Sequence, residues 1–107
     1  MILYALKDLA TDYYVTRNGR FNELNEDTRL FTSKSQAERC IKFNYEGIGY
    51  LSNLMRSLTY SILEKKYGVY RGVLEVSSKE FLNVANEINL KVVKVQLNEK
   101  RSKKEIV

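Results

Sequence analysis

The dipeptide Asn18-Gly19 constrains this chain more than any other feature, because it demands a β-hairpin. A two-residue type I′ turn needs positive φ at both central positions, which Asn and Gly tolerate best. The run before it, "DYYVTR" (12–17), is rich in Tyr, Val and Thr, side chains that fit a pleated surface. "RFNEL" (20–24) is the returning strand. "ILYALK" (2–7) is a third strand, joined to the hairpin by "DLATD", and "RLF" (29–31) is a further short extended piece after the break "NEDT". A chain that opens with consecutive strands is expected to build an antiparallel sheet.

Helical signals follow. Ser33 with Gln36 three residues on has the form of a capping box, and Ala37, Cys40 and Ile41 make an apolar stripe at helical spacing. "YEGIGY" (45–50) is a glycine-containing break. Ser52 opens a longer helix whose Leu51, Leu54, Met55, Leu58 and Ile62 share one side. Gly68 ends it after Lys65 and Lys66, the favoured charge at a helix C-terminus. "VYRGVLEV" (69–76) reads as a strand, with Gly72 marking a bulge. Ser77 and Glu80 cap a third helix that buries Phe81, Leu82, Ala85 and Ile88. "LKVVKVQL" (90–97) is the clearest strand, central and mostly covered. The order β-β-β-α-α-β-α-β argues α+β: a mainly antiparallel sheet of four to five strands with three helices on one face. Residues 1–97 form one domain in this reading, and 98–107 a flexible, basic C-terminal tail.

The composition excludes much chemistry. With no His, a Ser-His-Asp or Cys-His centre cannot form, and one Cys without His cannot assemble the usual zinc ligands. No phosphate-binding glycine loop occurs. Cys40 lies on the apolar stripe and reads as core. Glu23, Glu26 and Asp27 match no calcium-loop spacing and read as a solvated turn. No cofactor and no metal are expected. A lone Cys suits a reducing compartment, no apolar run approaches a bilayer span, and the N-terminus reaches Asp8 without a signal-peptide stretch, so a cytosolic location is expected. The net charge of +5 is spread thinly except in the tail.

Two places hold candidate binding residues. In a two-residue hairpin Arg17 and Arg20 stand nearly opposite each other, an arrangement of like charges that does not favour folding. Arg and Tyr are enriched at interface hot spots, and Tyr13 and Tyr14 point to opposite faces, so one of them should be exposed beside the arginines. Glu23, Glu26 and Asp27 can meet basic residues on a partner. The tail, with Lys100, Arg101, Lys103 and Lys104, can touch nucleic-acid phosphates as an alternative. A third reading is a His-free, ribosome-dependent mRNA-cleaving toxin using Tyr13, Tyr14, Arg17, Arg20 and Arg71. Exposed strand edges also allow a homodimer.

The first forty residues resemble a layout found in small proteins of phages and mobile elements from low-GC Gram-positive bacteria. Its marks here are Tyr4 and Lys7 in the opening strand, then Tyr13, Val15, Asn18, Gly19 and Phe21 in the hairpin, then Leu30, Phe31, Ser33 and Ala37. The resemblance implies a host-takeover factor or anti-CRISPR inhibitor that works by binding. Its partner would be a host protein, a defence nuclease such as a CRISPR effector or its nucleoprotein complex. Catalysis is not part of this expectation.

Overall fold

A computed structural model of the chain describes residues 1–45, 52–68, 76–98 and 103–106. These residues make an α+β fold, with a five-stranded antiparallel sheet and three α-helices among them. The strands are β1 (Ile2–Asp8), β2 (Tyr14–Val15), β3 (Phe21–Asn22), β4 (Leu90–Leu97) and β5 (Lys103–Ile106), in the order β3-β2-β1-β4-β5. The helices are α1 (Lys34–Cys40), α2 (Asn53–Tyr67) and α3 (Ser78–Glu87); α1 runs on into a π-helical turn, Ile41–Tyr45. Residues 69–75 of the expected strand at 69–76, and 46–50 of the expected glycine-containing break, lie outside the described residues.

Strand alternation assigns the two faces of the sheet. β1 and β4 pair over their full length, from Ile2 opposite Gln96 to Asp8 opposite Leu90. Tyr4, Leu6, Leu90 and Val92 therefore face the helices, where they join Val15, Phe21, Ala37, Cys40, Tyr45, Met55 and Leu58 in the main core. α1 lies on β1 and β4, α2 on β3, and α3 chiefly on α2, where Phe81 meets Tyr60 at a ring-centroid distance of 4.9 Å. Ala5, Tyr14 and Val95 point the other way into a smaller core with Leu24, Leu30 and Val93. That second core is why β4 reads as apolar on both sides.

Each helix begins as its cap predicts. Ser33, Ser52 and Ser77 accept from the backbone N–H of Gln36, Met55 and Glu80 respectively. Ser52 does a second task, donating to the Asn44 carbonyl at 2.7 Å and tying α2 to the π-helical turn. The "RLF" piece is a wedge more than a strand. Tyr4 exchanges backbone hydrogen bonds with Phe31, and Thr16 bridges Thr28, so residues 28–31 fill the fork where β1 and β2 diverge.

Two expectations need correcting. The C-terminal residues 103–106 are not a flexible tail: they form β5, paired from Leu97 opposite Lys103 to Lys94 opposite Ile106. The charged sequence hid this, because the Lys103 and Glu105 charges are satisfied within the fold. Lys103 donates to the Asn25 carbonyl at 2.9 Å, and Lys7 donates to Glu105 at 3.2 Å. The hairpin loop is also longer than two residues. The Gly19 N–H donates to the Thr16 carbonyl, and the Thr16 N–H to the Arg20 carbonyl, enclosing Arg17, Asn18 and Gly19. Only Gly19 takes positive φ, at 77°. This is a three-residue loop closed by a left-handed glycine. The Thr16 hydroxyl favours it by accepting from the Arg20 N–H at 3.0 Å.

Candidate functional site

The hairpin end is built against α2. The N–H of Phe21 donates to the Ser61 hydroxyl at 2.9 Å, and that hydroxyl donates back to the Phe21 carbonyl at 3.3 Å. One serine thus occupies both backbone groups of this edge residue. Gly19 is buried, and a Cβ there would lie 3.5 Å from Leu54 Cδ2 and 3.7 Å from Ser57 Oγ. Between hairpin and helix lies an open, polar cleft of about 430 Å³, edged by Thr16, Asn18, Arg20, Asp27, Glu64 and Lys65.

The structure redistributes the residues proposed for the tip. Arg17 is in the loop, exposed, and paired with Asp27 at 3.2 Å; its N–H also donates to the Asp27 carbonyl. Arg20 pairs with Glu64 of α2. The two arginines therefore do not oppose each other across the turn, and the like-charge conflict expected from a two-residue loop does not arise. Tyr13 is half-buried, with Lys65 Nζ 4.7 Å from its ring centroid. Tyr14 is buried in the second core, on the far side of the sheet, so the exposed tyrosine expected beside the arginines is absent. Glu23, Glu26 and Asp27 are exposed on the turn that follows, where Asn25 Oδ1 accepts from the Asp27 N–H and Thr28 Oγ1 from the Asn25 N–H.

Glu64, Lys65 and Ser61 complete this end. No sequence signal marked them, because they stand about forty positions from the hairpin and follow a helical period rather than a motif. Of the five residues proposed for ribonuclease chemistry, Tyr13, Arg17 and Arg20 lie at one end of the molecule. Tyr14 faces away, and Arg71 lies outside the described residues. Lys100 and Arg101 also lie outside them; Lys103 is committed to Asn25, and Lys104 is exposed. Cys40 is buried, as its place on the stripe implied. Among the described residues, no group of three or more acids or cysteines comes together as a metal site. No helix there is long and apolar enough to cross a membrane.

A second charged cluster sits on the opposite face. Lys7 lies 3.2 Å from Glu105 and 3.8 Å from Asp12, with its Nζ 5.5 Å from the Tyr14 ring centroid. The hydrogen bond to Glu105 holds the Lys7 ammonium above the ordinary value of 10.5. Burial, and then the Glu105 charge, push the Tyr14 phenol above 10.0; burial does the same for Tyr45. All three groups keep their protons more strongly when folded than when unfolded. Their contribution to stability is complete below pH 10.0 and is lost as pH rises through the raised folded values. We expect unfolding midpoints to fall steeply above that pH, and Tyr14→Phe to flatten the fall; an unchanged alkaline slope in that variant would exclude Tyr14 as a source.

No protein-family model matches this chain, and no curated protein or solved structure matches it significantly.

Proposed function

We propose that this chain is a phage-type accessory protein that binds a host macromolecule in the host cytosol and blocks it sterically. The target class is a defence nuclease such as a CRISPR effector. The contact surface is the hairpin end, with Arg17, Arg20, Glu23, Glu26, Asp27 and the half-buried Tyr13. One observation carries the reading: the arginines of this end are already oriented by ion pairs, and its backbone is fastened to α2 by Ser61. A surface held in place before contact loses little side-chain freedom on binding. Its closely spaced charges of both signs suit electrostatic matching to a protein better than attachment to a uniformly charged polymer.

The test is inhibition of DNA cleavage by a purified CRISPR effector nuclease from a low-GC Gram-positive host. Inhibition should saturate at a fixed ratio near one inhibitor per target, and Glu23→Lys/Glu26→Lys should relieve it. Both residues are exposed, so the variant should fold normally. Inhibition that continues at trace amounts of the protein, or cleavage of the guide RNA by the protein alone, would replace binding with catalysis.

A further inference from the structure

The helices leave one corner of their own sheet face uncovered. Strand pairing sets two rows of residues there across three strands: Ile2–Gln96–Lys104 and Tyr4–Lys94–Ile106. The next row, Leu6–Val92, is already under the helices. Ile2, Lys94, Gln96 and Lys104 are exposed, and Tyr4 and Ile106 are half-buried. The two lysines are diagonal neighbours on β4 and β5, with Cα atoms about 7–8 Å apart. Neither has an ion-pair partner among the described residues, and the nearby acid, Glu105, faces the other side of the sheet with Lys7. Among the described residues this corner therefore carries two unpaired lysines, set beside the exposed Ile2 and the half-buried Ile106. The hairpin end, by contrast, pairs its arginines with acids.

We propose that this corner binds single-stranded nucleic acid, with Lys94 and Lys104 on successive phosphates and Ile2 against the bases. A strand that alternates anionic groups with apolar rings fits a surface that sets cations beside apolar groups. A duplex offers a flat face only phosphates and leaves Ile2 in water. The inference does not rest on the hairpin reading, because the two surfaces share no residue.

Fluorescence anisotropy with labelled oligo-dT and oligo-U of about twenty nucleotides tests it. The intact chain should bind at low salt. Lys94→Glu/Lys104→Glu should weaken binding at least about tenfold and lower the salt slope by about 1.4, as expected for two lost phosphate contacts to a single strand. Lys79→Glu, at an exposed lysine of α3, should leave affinity and slope unchanged. Absence of binding by the intact chain, equal binding by the double variant, or an equal loss in Lys79→Glu would each overturn the proposal. Competition by poly-glutamate as strong as that by the oligonucleotide would also overturn it and assign the corner to an acidic protein.

Discussion

Replacing Asp8 with alanine is expected to destabilise the fold by about 3 kcal/mol, the scale for losing hydrogen bonds to a buried charged group. Asp8 is fully buried at the end of β1. Its carboxylate accepts from the Thr11 hydroxyl at 2.7 Å, the Asn89 N–H at 2.8 Å and the Ala10 N–H at 3.4 Å. The same group therefore shapes the turn into β2 and holds the residue that precedes β4. Removal leaves the Asn89 N–H and the Thr11 hydroxyl without their partner at a join between segments 81 positions apart. A fall in melting temperature on the order of 15 °C should accompany the change. Asp8→Asn should lose less, since an amide oxygen can still accept from Asn89. Melting of the alanine variant within experimental error of the parent would show that the carboxylate does not hold this join.

Ending the chain at Leu97 is expected to cost about 3 kcal/mol, through the loss of several ladder hydrogen bonds and a charge-assisted pair. The truncation removes β5, the Lys7–Glu105 bond and the Lys103–Asn25 bond. It makes β4 an edge strand and opens Val95, which is fully buried in the intact chain. Denaturant titration and amide exchange in β4 would both report the change. A flexible tail would leave both untouched, so the measurement separates the two descriptions of residues 103–106.

The fold class was legible because most elements announce themselves locally. Serine caps precede all three helices, Gly68 ends α2, and the aliphatic run at 90–97 coincides with β4. What could not be read depends on partners distant in the chain. "KKEI" looks solvated until Lys7 and the Asn25 carbonyl are beside it. Asn18-Gly19 correctly placed a turn, but Thr16 and the packing of Gly19 on α2 selected the longer loop. The same limit applied to the hairpin end. Arg17 pairs with Asp27 rather than with Asp12 or Glu23, and the partner of Arg20, Glu64, belongs to a helix more than forty residues later. Tyr14 looked available because nothing nearby reveals a second core beneath the sheet.

The serine on α2 that engages both backbone groups of Phe21 has a consequence for crowded conditions. A sheet that can extend from either margin can add copies without limit. Among the described residues, the β3 margin is already occupied by the protein's own helix, which leaves the β5 side as the margin for strand addition. Pairing through β5 would join two molecules and then stop, so this route ends in a closed dimer rather than a fibre.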